Sequence, residues 1–210
     1  MKKILLLGIL IFTLTGCTSI EKESYQEVID EVLNSKVSIT NVNRNGYRYY
    51  LPRGLSIKNS KSFNEVLTDQ KYTYYLYVDV VSYLNKTNFK YEVNEDSIYS
   101  SFLQLNDKKG YIEINNYKNN QYLIEIMYNY AKIEIVAYTK DINKCITYAM
   151  VVLSSVTYND SVIEKYLSSS TLDSPEETFD IFEIVGSDNY LKFTEEDTDT
   201  GDAKDPDYIK

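Results

Sequence analysis

The chain has 210 residues, of which 43% are hydrophobic and 25% charged, with a formal net charge of −9 and neither histidine nor tryptophan. Length and composition suit one globular domain with extensions. The missing histidine excludes Ser-His-Asp and Cys-His catalysis, histidine acid–base chemistry and most zinc sites, and the acidic balance argues against a nucleic-acid partner, which wants a basic face.

Lys2 and Lys3 form a short positive region. Ile4–Phe12 is an apolar run broken only by Gly8, and a small-residue segment with Thr13, Thr15 and Gly16 follows. That order is expected of a secretory signal, and the stretch is shorter than the roughly 20 apolar residues a spanning helix needs. Leu14-Thr15-Gly16-Cys17 resembles the bacterial lipobox, in which Leu, a small residue and Gly or Ala precede an obligatory Cys. The resemblance implies diacylglyceryl transfer to the Cys17 thiol and cleavage between Gly16 and Cys17. It also implies a lipid-anchored location on the extracytoplasmic face of a bacterial cell membrane. Two acyl chains, at about 0.8 kcal/mol per buried methylene, meet the requirement for stable anchoring. The competing reading is an ordinary signal in which Cys17 is incidental.

Without residues 1–16 the charge becomes −11, and residues 173–210 account for −10 of it through thirteen acids and three lysines. The body between them is nearly neutral, which also argues against a polybasic membrane contact.

Residues 21–34 read as an amphipathic helix, with Tyr25, Val28, Ile29, Val32 and Leu33 at helical spacing. It follows the anchor as a stalk or docks on the body. From Val37 the pattern turns β: Val37–Val42, then an Asn45-Gly46 turn, then Tyr47–Leu51 halted by Pro52 and Gly54 and continued by Leu55–Lys58. Phe63–Leu67 is a further short strand, and Tyr72–Leu84, rich in Tyr and Val, reads as the longest. Ile98–Leu105 precedes a meander of Tyr111–Tyr117, Tyr122–Tyr128 and Lys132–Tyr138, with Asn119-Asn120 as a hairpin turn.

Alternation in the meander puts Ile112, Ile114, Ile124, Ile126, Ile133, Ile135 and Ala137 on one face. Glu113, Asn115, Glu125, Lys132 and Glu134 fall on the other, polar face. The apolar face needs a cover. Asp141–Val156 supplies it as a helix striped by Ile142, Cys145, Ile146, Ala149, Leu153 and Val156, with Thr139 or Asp141 as its cap. Ser161–Leu167, capped by Asp160, is a second short helix, and Ser168–Thr171 is a linker. Thr178–Val185 and Tyr190–Phe193 suggest two more strands, and 195–210 reads as a disordered acidic tail.

The expected fold class is therefore α+β, an antiparallel sheet covered by a C-terminal helix. The order of helix, early strands, meander and closing helix ending Leu153-Ser154-Ser155-Val156-Thr157-Tyr158 resembles the PsbP-like fold, named after an extrinsic photosystem protein. That resemblance covers about 37–158 and implies a non-enzymatic accessory factor at a membrane. The expected organisation is signal peptide 1–16, anchor and N-terminal helix 17–36, α+β domain 37–172, C-terminal extension 173–194 and tail 195–210.

Candidate chemistry is sparse. Arg44, Arg48 and Arg53 are the only arginines and lie within ten residues, a pattern suited to phospholipid head groups, an anionic wall polymer or an acidic partner loop; solvated charges on an edge strand are the plainer reading. Tyr47, Tyr49 and Tyr50 cluster, and Tyr75, Tyr77 and Tyr83 share one face of the long expected strand, a surface for a sugar or peptide. Glu92 with Asp96, or Asp79 with a neighbour, are the carboxylates available to a hydrolase. Cys145 reads as a small apolar side chain. Asp197–Asp202 fails the calcium-loop pattern, since the sixth and twelfth positions are Asp202 and Tyr208. No metal or cofactor is expected. The leading expectation is a non-enzymatic binding or accessory lipoprotein, held to the membrane by its lipid, with an envelope protein or wall polymer as partner. The rivals are a carboxylate-dependent envelope hydrolase and a small solute receptor of a transporter.

Overall fold

A computed structural model describes residues 23–35 and 39–169. Helix α1 (Tyr25–Asn34) begins with a reciprocal cap: the Ser24 hydroxyl accepts from Glu27 N at 3.3 Å, and the Glu27 carboxylate accepts from Ser24 N at 2.8 Å. Ten residues make a marginal helix alone. Burial of Val28, Ile29, Val32 and Leu33 holds it, at about 1.5–3 kcal/mol per side chain. The helix is docked on the body rather than standing off it.

The main sheet has seven strands, all antiparallel: β3 (Ser56–Lys61), β4 (Asn64–Thr68), β5 (Thr73–Val78), β6 (Tyr99–Leu105), β7 (Lys108–Asn116), β8 (Gln121–Tyr128) and β9 (Ala131–Tyr138), in the spatial order β3-β4-β5-β9-β8-β7-β6. A small second sheet joins β1 (Val42–Asn43), β2 (Tyr47–Tyr49) and β10 (Thr157–Tyr158), with β2 in the centre. Helix α3 (Ile142–Ser154) crosses β8 and β9 on their apolar face and carries α1 on its flank. Its expected stripe is buried throughout, joined by Met150 and Val152. The fold is thus α+β with a C-terminal helix on an antiparallel sheet.

Several local expectations are corrected. Tyr72–Leu84 is not one strand. β5 stops at Val78, and α2 (Val80–Asn85) begins because the Asp79 carboxylate accepts from Ser82 N at 2.8 Å. Residues 55–58 do not continue β2; they enter β3, at the edge of the other sheet. Of Val37–Val42 only Val42 is in a strand, and 37–38 lie outside the described residues. Asp141 makes no capping bond to α3, because its carboxylate accepts instead from Lys71 Nζ at 2.6 Å and Tyr72 OH at 2.7 Å. Helix α4 (Asp160–Ser169) is capped by Asn159, whose Oδ1 accepts from Val162 N, while Asp160 accepts from Tyr83 OH. The expected strands at 178–185 and 190–193 and the tail from 195 lie outside the described residues.

Two turns and one glycine follow the local chemistry closely. Asn119 and Asn120 both take positive φ, 58° and 56°, in the β7–β8 turn. Gly46 takes φ +91° between β1 and β2, where a side chain would also press into Ile163. At Gly110, in β7, an added β-carbon would run into the Met127 carbonyl of β8.

Candidate functional site

Strand alternation in β4 places Glu65 on the same face as Leu67, toward the core. A carboxylate there needs partners, because an unpaired buried charge is costly. It has three: Tyr47 OH donates to Oε1 at 2.9 Å, Tyr49 OH to Oε2 at 3.1 Å, and Arg44 Nη2 to Oε2 at 2.7 Å. Glu65 is 1% exposed. Burial and the facing carboxylate push both phenols well above the ordinary tyrosine range, so they stay protonated donors. Burial works against the Arg44 charge, and Glu65 more than restores it.

This knot forms the floor beside a cleft of about 210 Å³ between the β1–β2 turn and the β10–α4 junction. Asn43, Arg44, Arg48, Thr157, Asn159 and Val162 are among its walls. The two sides are joined by Asn159 N donating to Gly46 O at 2.8 Å and by Arg48 Nε donating to Thr157 Oγ1 at 3.0 Å. Arg44 Nη1 donates to Asn43 O at 3.1 Å, whereas its Nε is buried with no acceptor. Among the three arginines flagged by the sequence, the fold brings Arg44 and Arg48 together and leaves Arg53 on an exposed turn outside the cleft.

The second polar constellation lies on the outer face of the main sheet. Ser100, Glu113, Glu125, Glu134 and Tyr75 stand in register across β6, β7, β8, β9 and β5. Like charges directly opposite one another repel. Lys132 relieves the row, with Nζ 2.7 Å from Glu134 Oε1 and 3.7 Å from Glu125 Oε2. The face is not solvated, as its alternation suggests it should be. The 86–98 loop lies over it, stacking Tyr91 on Tyr111 at 4.6 Å and burying Phe89 and Met127. Tyr91 OH and Asn94 Nδ2 donate to the two oxygens of Glu113 at 2.9 and 3.2 Å, and Tyr111 OH donates to Glu125.

Burial pushes the Glu125 carboxyl up to about 7, against the opposing pull of Lys132 and Tyr111 and with help from Glu134 and Glu113. Lys132 stays cationic: burial disfavours its charge, but Glu125 and Glu134 outweigh burial. The raised Glu125 value has a definite sign. Between its ordinary value of 4.5 and about 7 the unfolded chain gives up the proton that the folded chain keeps, so stability falls as pH rises through that window. Glu125→Gln removes this slope and still accepts the Tyr111 hydrogen bond. Thermal unfolding of the variant and parent is expected to diverge from pH 4.5 to 8 in the variant's favour, by roughly 2–3 kcal/mol; parallel pH profiles would remove the assignment.

The remaining candidates separate. Cys17 and Gly16 lie outside the described residues. Glu92 and Asp96 are exposed on the 86–98 loop, and Asp79 is spent as a helix cap. Tyr75 and Tyr77 are half-buried on the outer face, while Tyr83 belongs to α2 and stacks on Tyr158 at 3.8 Å, so the expected three-tyrosine face does not form. Cys145 is fully buried, accepts from Tyr74 OH at 3.6 Å, and is pushed up to about 12 by burial, which keeps it an inert thiol. Among the described residues no cluster of three or more Cys, Asp or Glu is arranged to hold a metal, and no helix is long and apolar enough to cross a membrane. Sequence reading missed Glu65, although its parity with Leu67 was a usable signal. No family model matches the chain, and no curated protein is significantly similar to it.

Proposed function

We propose that this protein is a binding module of the bacterial cell envelope, attached to the outer face of the membrane by a diacylglyceryl group on Cys17. The observation that carries the binding role is the union of Arg44 and Arg48 from one hairpin with the β10–α4 junction in a single donor-lined cleft. The anchor rests on Leu14-Thr15-Gly16-Cys17. The reading of a non-enzymatic accessory domain is supported by how the buried carboxylates are used: Glu65 and Glu113 each have both oxygens occupied by donors of the protein itself.

Cys17→Ser tests the anchor. Expression in a bacterial host with radiolabelled palmitate should label the parent and not the variant, and the variant should leave the membrane fraction or accumulate unprocessed. Equal labelling and equal membrane retention would overturn the anchor. A second reading, a carboxylate-dependent hydrolase, draws on the directly opposed pair Glu113 and Glu125, one of them protonated near neutral pH. Turnover of a wall-polymer substrate that is abolished by both Glu113→Gln and Glu125→Gln would establish it in place of the binding role.

A further inference from the structure

We infer that the cleft between the β1–β2 turn and the β10–α4 junction binds a phosphate group, free or carried as an ester on an anionic polymer. The inference deepens the binding role proposed above and rests on it.

The lining of the cleft suits an oxyanion. Two guanidinium groups line one small space, and arginine presents a rigid fork of donors matched to phosphate. They are used unequally. Glu65 and Asn43 O take the Nη atoms of Arg44, and its Nε–H is buried out of reach of solvent in the cleft. Arg48 spends only Nε, on Thr157, and its side chain is otherwise exposed. Of the charges near the cleft, Glu65 pairs with Arg44, and Asp160 accepts from Tyr83 OH while keeping its own charge. What the cleft offers an anion is therefore the remaining donors of Arg48, not a net positive charge.

The arrangement favours phosphate over carboxylate. Polar groups come from three parts of the chain: Asn43 and Arg44 at the hairpin turn, Arg48 on β2, and Thr157 and Asn159 from β10 and the residue after it. Polar groups placed on several sides suit a tetrahedral anion, whereas a planar carboxylate uses a single fork. The volume of about 210 Å³ leaves room for a group esterified to the phosphate. Val162 on the wall gives such a group an apolar contact.

The test uses the mature lipidated chain in detergent, titrated calorimetrically with inorganic phosphate, glycerol 3-phosphate, a short glycerol-phosphate oligomer and acetate. Saturable binding of at least one phosphate probe, weakened about tenfold or more by Arg48→Gln and not matched by acetate, is the expected result. Arg48 is exposed and distinct from the Glu65 knot, so its variant should keep the parent's circular dichroism, and Thr157→Val, which removes the same Arg48–Thr157 bond but leaves the guanidinium, controls for the loss of that contact. Preference for the oligomer identifies a polymer-borne phosphate; equal affinities identify the phosphate alone. Absence of saturable phosphate binding, affinity unchanged by Arg48→Gln, or acetate bound as tightly as phosphate would each overturn the inference. Failure of the anchor is read separately: a chain that carries no lipid yet shows Arg48-dependent phosphate binding keeps the cleft and loses the membrane.

Discussion

Glu65→Ala is expected to cost about 3–5 kcal/mol of unfolding free energy, measured by urea denaturation at pH 7. The loss is not that of one hydrogen bond. Removing the carboxylate strands two buried phenols and a partly buried guanidinium that all donate to it. Each orphaned group carries its own desolvation penalty, about 1–3 kcal/mol and more for the charged one. Glu65→Gln should fall between, since it keeps an acceptor but turns one oxygen into a donor facing donors. The informative control is a joint replacement by apolar groups, Glu65→Leu with Arg44→Met, Tyr47→Phe and Tyr49→Phe. It should recover most of the stability lost in Glu65→Ala, because removing a whole buried network is far cheaper than breaking it. A Glu65→Ala protein within 1 kcal/mol of the parent would mean that the knot is not closed in solution.

Lys132→Met should have a comparable effect, again about 3–5 kcal/mol at pH 8, or a fall in melting temperature on the order of 10 °C. Methionine keeps the packing volume and removes the cation between Glu125 and Glu134. Glu113, Glu125 and Glu134 then face one another across adjacent strands with no cation between Glu125 and Glu134. The penalty should shrink toward pH 5, where protonation relieves the row, and Glu134→Gln should partly rescue the variant. A pH-independent loss would point to packing, not charge, as the role of Lys132.

Much of the architecture was legible in the residue pattern. Helices α1 and α3 show themselves by apolar spacing, and the meander by alternation, because each buries one face against a single partner. Tyr72–Leu84 was misread since Tyr and Val favour strands generally, while the switch into α2 depends on one side chain, Asp79, reaching Ser82 N. The burial of the acidic face of the meander was not legible, for a different reason. Alternation separates two faces, but it does not reveal that a distant loop comes back to bury the second. The arginine cluster was visible, yet only the fold sorts it. Arg44 and Arg48 flank a tight turn that the α4 junction meets, and Arg53 lies past Pro52, beyond its reach.

The partnership of α1 with α3 constrains when the structure can be completed. Their residues are more than a hundred positions apart, and Asn143 Nδ2 bonds Glu23 O at 2.8 Å across that separation. The β7–β8 and β8–β9 hairpins close short loops and are kinetically cheap, whereas the helix pair must wait for nearly the whole body to emerge and then close a very long loop. Until then the isoleucine-rich side of the hairpins stays bare, so any chain that ends before α3 should be insoluble rather than partly functional.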